Sequence, residues 1–382
     1  MRGQEQSESG VTAREVASHC LSHTDHEKQS STGRANANDR AGGVPQPGPM
    51  GPRIRAHIAR QHGLITFHQA TDAGLGHAQI VALARSGAWV KVRQGVYADG
   101  GIWNALDEYV ARPLLRVRAA QLVLTVPHWF SHDSAALLHG LRLFDRDHDL
   151  VHITRPDMRG RVARAGVAHH GAKVEPERTT VIDGLPVLDL ARTAVDVVRE
   201  HGVDVGIGAC DFALRHGVPR RDLVAVTDSM AGWPHVCLAR EVVELADPGA
   251  ENAAESAARS LVLELGIGPP QTQFGLTDGG RTVWCDLRVG RHIFEFDGRV
   301  KYLPVSAGGV AEADPSEILW KEKKRQDFVC GFKLGMSRIT YADLRGNRAA
   351  ARARLAREYA DTEARFGSSI EDLAPYLARR LR

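Results

Sequence analysis

The run Val283-Trp-Cys-Asp-Leu-Arg-Val-Gly-Arg-His-Ile-Phe-Glu-Phe-Asp-Gly-Arg-Val-Lys-Tyr302 constrains the fold more than any other part of the chain. Two stretches rich in Val, Ile, Phe and Trp flank Gly290-Arg291, and a Gly-X pair suits a two-residue type II′ hairpin turn. With that turn, Val289 faces His292, Arg288 faces Ile293, Leu287 faces Phe294 and Asp286 faces Glu295. Directly opposed residues have Cβ atoms about 4.5–5.5 Å apart, and like charges there repel. Asp297 lies two residues beyond Glu295 and shares its face of the strand. Three carboxylates therefore converge, and a divalent cation is the simplest thing that makes the arrangement favourable.

Two readings of the hairpin stand side by side. In one, a hard cation such as Mg²⁺, which prefers oxygen ligands and keeps several waters, is held by these carboxylates. It would polarise a phosphodiester and supply a hydroxide-like water, with Lys301 neutralising charge on the phosphate. In the other, a twisted or bulged hairpin turns its acids to water, with Arg299 and Lys301 as counter-charges. A one-residue slip would send Asp286 and Glu295 to opposite faces.

The segment from about residue 249 to 344 resembles the Vsr-like nuclease-fold domain of many actinobacterial proteins (the DUF559 type). More broadly it is similar to the PD-(D/E)xK restriction-endonuclease superfamily. The matching features are Glu255 on a helix, Asp286, the run Glu295-Phe-Asp-Gly-Arg-Val-Lys-Tyr302, the helix around Leu319–Asp327 and the strand around Ser337–Thr340. The resemblance implies a Mg²⁺-dependent phosphodiesterase core with Asp286 and Glu295 as metal ligands and Glu255 as an accessory acid. The position two after the second acid, where the superfamily places lysine, holds Asp297, which leaves Lys301 as the nearby cation.

A chain of 382 residues exceeds one ordinary domain and suggests about two or three. A net charge of +3 permits nucleic-acid binding without arguing for it. Cys20, Cys210, Cys237, Cys285 and Cys330 are scattered without metal-binding spacing, so a reduced, cytoplasmic protein is expected. There is no apolar run of about 18 residues to span a membrane, and no secretory signal pattern. Residues 1–50 are polar and Gly/Pro-rich, and read as a disordered tail.

Residues 51–100 read as a small DNA-binding unit. A helix from Ile54 to His62 stops at Gly63, Thr66 caps a second helix, and Gly74-Leu-Gly76 makes a turn. His77 to Ser86 carries Ile80, Leu83 and Ala84 at helical spacing, and an extended ribbon follows to Tyr97. Helix, turn, helix and ribbon describe a winged helix-turn-helix, whose last helix enters the major groove of double-stranded DNA. His77, Gln79 and Arg85 on that helix, with Lys91, Arg93 and Gln94 on the wing, are the candidate contacts. A helical module for protein contacts is the alternative. The stretch Gly63-Leu-Ile-Thr-Phe67, with Ala88-Trp-Val-Lys-Val-Arg-Gln-Gly-Val-Tyr-Ala98, resembles the N-terminal domain of AbiEi-type antitoxins of type IV toxin–antitoxin systems. That resemblance implies operator binding, repression and a toxin partner encoded nearby.

Residues 101–245 read as an α/β linker domain. Trp129-Phe-Ser-His-Asp-Ser-Ala-Ala-Leu-Leu-His-Gly140 combines a strand end, a Ser131 cap and an amphipathic helix. His132, Asp133, Ser134 and His139 lie on one turn of helix and its cap, and no Gly-x-Ser-x-Gly elbow surrounds Ser134, so capping and packing account for them. Val151–Thr154 and Gly166–His170 alternate as strands. Further on, Glu251 to Gly266 is a strong helix in which Glu255 and Arg259 are spaced for a solvated ion pair. Asp314-Pro-Ser-Glu317 has capping-box form ahead of a helix carrying Lys321, Lys323, Lys324 and Arg325. That basic run is either a solvated face or a clamp on a nucleic-acid backbone. Arg345, Arg348, Arg352, Arg354 and Arg357 continue it into basic C-terminal helices.

The fold class expected is α+β and multidomain: a winged helix-turn-helix (51–100), an α/β linker (101–245), a restriction-endonuclease-like α/β domain (246–345) and basic helices (346–382). Two functions follow, a Mg²⁺-dependent endonuclease using Glu255, Asp286, Glu295, Asp297 and Lys301, or a non-catalytic, antitoxin-like repressor.

Overall fold

Hydrophobic spacing in residues 52–99 produces three short helices around a small sheet. The computed structural model describes residues 51–144, 150–297 and 315–378, and of 315–319 the backbone alone. The tail before residue 51, Arg299, Lys301 and Asp314 lie outside these residues. Helix α1 (Pro52–Arg60) starts with proline, whose missing N–H costs nothing there, and buries Ile54 and Ile58. After β1 (Leu64–Thr66), Thr66 caps α2 (Phe67–Asp72): its Oγ1 accepts from Gln69 N at 3.1 Å, and Gln69 Oε1 accepts from Thr66 N at 3.0 Å. Helix α3 (His77–Arg85) buries Ile80 and Leu83. Strands β2 (Trp89–Arg93) and β3 (Val96–Asp99) form the ribbon, and the sheet runs β1-β3-β2.

Next come α4 (Gly100–Ala105), α5 (Ala111–Gln121), β4 (Trp129–Phe130), α6 (His132–Leu138), β5 (Val151–Arg155), β6 (Gly160–Arg164), β7 (Val167–Gly171), β8 (Thr179–Ile182) and β9 (Leu185–Leu188). Their mixed sheet has the order β6-β7-β5-β4-β9-β8, and its Phe130, Val151, Ile153, Val167 and Val187 pack with Val117 and Ala120 of α5 and Ala135 of α6. Helices α7 (Leu190–His201), α8 (Val203–Arg215), α9 (Arg220–Ser229) and α10 (Val236–Leu245) follow as a helical layer around Ala194, Val198, Ile207, Leu223 and Val242. Gly206 lets α8 lie close to α7, since a Cβ there would sit 2.7 Å from Val198 Cα.

The last sheet is flanked on both faces. It involves α11 (Ala253–Leu263), β10 (Gln271–Asp278), β11 (Arg281–Val289), β12 (His292–Asp297), α12 (Pro315–Cys330), β13 (Gly335–Thr340), α13 (Tyr341–Arg345), α14 (Arg348–Phe366) and β14 (Leu377–Ala378). The strand order is β13-β12-β11-β10-β14, with only β12 and β13 parallel. One face carries Leu287, Val289 and Phe294 against α11 and α14; the other carries Cys285 and Ile293 against Val329 of α12. Residues beyond 345 belong to the same core through Ala351 and Leu355, and β14 completes the sheet edge.

The described residues thus form a mixed fold of helices and three sheets. No helix among them is long and apolar enough to cross a membrane.

Candidate functional site

The β11–β12 hairpin positions the acidic residues. Gly290 takes φ 54°, and the ladder pairs Val289 with His292, Arg288 with Ile293 and Leu287 with Phe294, the register the turn predicts. The ladder ends before the expected Asp286–Glu295 pair. Instead the Asp286 carboxylate accepts from Phe296 N at 2.9 Å. The cause is a twist in β11: Cys285 and Leu287, which a regular strand would put on one face, pack on opposite faces of the sheet. Across from Asp286 on β10, Gln273 takes φ 50° to accommodate the twist.

Asp286 and Glu295 nevertheless meet electrostatically on the α12 side. Glu295 is buried, and its Oε1 accepts from Arg325 at 2.8 Å, while the same Arg325 nitrogen donates to Trp284 O at 2.7 Å. Burial first, and Asp286 second, push the Glu295 carboxyl up to about 7, against the pull of Arg325. The buried Cys285 thiol is raised as well, by burial and then by Glu295. Arg338, paired in the ladder with Glu295, reaches Asp297 at 3.4 Å and Glu322 at 2.6 Å, and Arg325 reaches Glu322 at 3.4 Å. Glu295, Asp297 and Glu322 therefore share the guanidiniums of Arg325 and Arg338, with the charge of Asp286 acting on Glu295 beside them.

Glu255 sits apart from this network. Its carboxylate accepts from Glu251 N at 2.7 Å and Asn252 Nδ2 at 2.6 Å at the start of α11, on the face opposite Glu295. Arg259, expected to pair with it, turns to the buried Asp211 at 2.7 Å instead.

Of the basic residues on α12, Lys321 and Lys324 are exposed, with the Lys324 ammonium 5.1 Å from the Trp320 ring centre, whereas Arg325 points inward to Glu295. On α14, Arg348 binds Asp204 and Glu264, and Arg354 binds Asp343 and Glu358, so inward ion pairs absorb much of that basic run.

In the front module His77, Gln79, Arg85, Lys91 and Gln94 are exposed. The Gln79 side chain accepts from Gly76 N at 2.8 Å, which ties it to the start of α3. Arg93 is partly buried, and burial lowers its pKa; its guanidinium is directed to Ala165 O at 3.5 Å. The residues 52–98 hold six Lys or Arg against one Asp, a formal +5, while the whole chain carries +3.

A cluster that sequence reasoning passed over lies in the central sheet: His132, His152 and His170 bring one ring nitrogen each to within 4.8 Å of one another. The alternation of residues 151–154 and 166–170 marks both strands, but nothing in it sets two strands in parallel register beside the start of α6.

The family profile described as "Transcriptional regulator, AbiEi antitoxin" matches residues 52–98. Two uncharacterised proteins of Mycobacterium tuberculosis, from strains CDC 1551 / Oshkosh and H37Rv, are each 28% identical over 153 residues, covering 40% of this chain and 54% of theirs. The chain spans about half the length of these curated relatives. Among solved structures, the RV2827C protein of Mycobacterium tuberculosis aligns with a TM-score of 0.35 at 17% identity, over 55% of this chain and 79% of that one.

Proposed function

We propose that residues 52–98 form a winged helix-turn-helix that docks on double-stranded DNA, and that the protein is a transcriptional regulator of the antitoxin type. The observation carrying this reading is the concentration of charge: the stretch matching the regulator family holds +5 and presents Arg85 and Lys91 to solvent. His77 and Arg85 on α3 are the base-edge candidates, Lys91 is a phosphate contact, and Gln79 and Arg93 serve the module's own structure as much as DNA. A repressor of this kind would share its operon with a toxin. The test is binding to a duplex carrying the protein's own promoter, measured across salt concentrations. Lys91→Ala should weaken binding on all sequences and reduce the log–log salt slope by about one. Arg85→Ala should weaken promoter binding more than binding to random duplex. Absence of any promoter complex at low salt would end this reading.

A second reading rests on the hairpin that brings the buried Glu295 carboxylate, held by Arg325 at 2.8 Å, close to the charge of Asp286. The C-terminal sheet with α11 and α12 would be a restriction-endonuclease-like domain, and Asp286 and Glu295 the ligands of Mg²⁺, with Asp297 close by. The oxygen donors suit a hard cation, and the guanidinium of Arg325 now stands at Glu295 Oε1, where a cation's charge would go. When bound, the ion would polarise a phosphodiester and its attacking water. Lys321 and Lys324 would hold the DNA backbone, while Glu255, on the other face, would act only through α11. Calorimetry should detect Mg²⁺ or Mn²⁺ binding that Asp286→Ala abolishes, and the protein should nick plasmid DNA unless Glu295 is changed to Ala. Equal inertness of wild type and Glu295→Ala would leave the regulator alone.

A further inference from the structure

We propose that His132, His152 and His170 form a three-histidine site for Zn²⁺, with its fourth coordination position open to the cavity between the central sheet and the helical layer. The parallel register of β5 and β7 sets His152 opposite Ala168 and Thr154 opposite His170, so the two histidines are diagonal neighbours on one face. His170 Nε2 lies 3.2 Å from His152 Nδ1. Two nitrogens bound tetrahedrally to one zinc at about 2.0–2.1 Å are separated by about 3.3 Å, so this spacing is that of a ligand pair.

His132 completes the set from a third element. It opens α6 with φ 48°, in the left-handed region that histidine enters more readily than most residues; its ring stacks on His170 with centres 3.7 Å apart, so it has to turn for its in-plane lone pair to reach the shared ion. Ser131 Oγ lies 3.0 Å from its Nδ1, a supporting hydrogen bond of the kind that leaves the other ring nitrogen to a metal ion. Buried Asp133, whose carboxylate is 2.6 Å from His201 Nε2, supplies a further anionic neighbour to His152.

His132 and His170 line a cavity of about 480 Å³ together with Arg161, Arg199 and Trp233, so a ligand can reach the site. Three nitrogen donors with an accessible fourth position is the arrangement of zinc sites that keep water or a small anion on the metal.

The test uses the full chain stripped by chelator, with the tail histidines His19, His23 and His26 replaced by alanine to remove competing ligands. Zn²⁺ should bind once per chain by calorimetry, and Co²⁺ should give the intense visible absorption of tetrahedral nitrogen ligation. Both should survive Asp286→Ala/Glu295→Ala, which separates this site from the acidic one. His152→Ala and His170→Gln should each weaken Zn²⁺ by more than about 100-fold, beyond what losing a supporting contact does. His169→Ala, on the opposite face of β7, should leave affinity unchanged. Should the variants misfold by circular dichroism, X-ray absorption of the zinc-loaded parent decides by counting nitrogen ligands. No Zn²⁺ uptake, uptake insensitive to both histidine substitutions, or a weak octahedral Co²⁺ spectrum would overturn the assignment and leave a hydrogen-bonded imidazole pair.

Discussion

His292 is buried between two hydroxyls, with Nδ1 2.7 Å from Thr362 Oγ1 and Nε2 2.7 Å from Ser337 Oγ. The neutral ring donates to one hydroxyl, while its bare nitrogen competes with Glu358, to which Thr362 Oγ1 donates at 3.0 Å and Ser337 Oγ also donates, for the proton of the other. Burial drops its pKa to about 4, with Glu358 pulling the other way. The unfolded chain, at about 6.5, then binds more protons than the native state between these values. His292 therefore contributes stability that is present above about pH 6.5 and lost as pH falls through 4, on the order of 3 kcal/mol. The urea midpoint of the parent relative to His292→Gln should fall between pH 7 and pH 4.5; a difference that does not change with pH would refute this account. Glu295 works in the opposite sense. Its carboxyl, raised to about 7, favours the native state at low pH and loses that contribution as pH rises through 7. Glu295→Gln should remove this decline, visible as a variant that gains relative stability toward pH 8.

At the scale of elements, local chemistry sets the starts of several helices. Thr66 and Gln69 exchange backbone hydrogen bonds across the first turn of α2, Asp189 caps α7 at 2.7 Å from Arg192 N, and Asn252 caps α11. Thr66→Ala removes one half of the reciprocal pair and should cost about 0.5–2 kcal/mol in thermal unfolding. Because α2 packs between α1 and α3, the same variant should also lower promoter affinity under the proposed regulator function. A loss of DNA binding with no loss of stability would mean that Thr66 contacts DNA directly. The hairpin is legible on the same grounds: Gly290-Arg291 fixes the turn, and the turn fixes three cross-strand pairs. The twist at Asp286 is not, since it reflects two cores on opposite faces competing for Cys285 and Leu287.

Across the whole molecule, a buried ion pair ties the helical layer to the C-terminal sheet. Arg259 on α11 meets Asp211 on α8 at 2.7 Å, both buried, and also donates to Leu245 O at 2.7 Å. Burial raises the Asp211 carboxyl and Arg259 opposes it. Breaking such a pair from one side leaves an uncompensated buried charge, so Asp211→Ala should cost about 3–5 kcal/mol. Replacing both partners by apolar residues of similar volume should cost much less. Arg348 adds a more exposed link, from α14 to Asp204 and Glu264. Denaturant unfolding followed separately in the central and C-terminal parts should lose its coincidence in Asp211→Ala; a single unchanged transition would show that the pair does not couple them.

The amino-acid sequence by itself determined what depends on neighbours a few residues apart: the turn at Gly290, the Thr66 cap, the buried stripe of Ile80 and Leu83, and the positive charge of residues 52–98. Turn chemistry, capping and periodicity act over such distances whatever the rest of the chain does. Only the tertiary structure decided that Arg325 turns in to Glu295 across 30 positions, that Arg259 leaves Glu255 for Asp211 across 48, and that His152 and His170 meet. Those outcomes depend on which helix covers which sheet face and on the register of parallel strands, and both are settled by competition for burial among segments far apart in the chain.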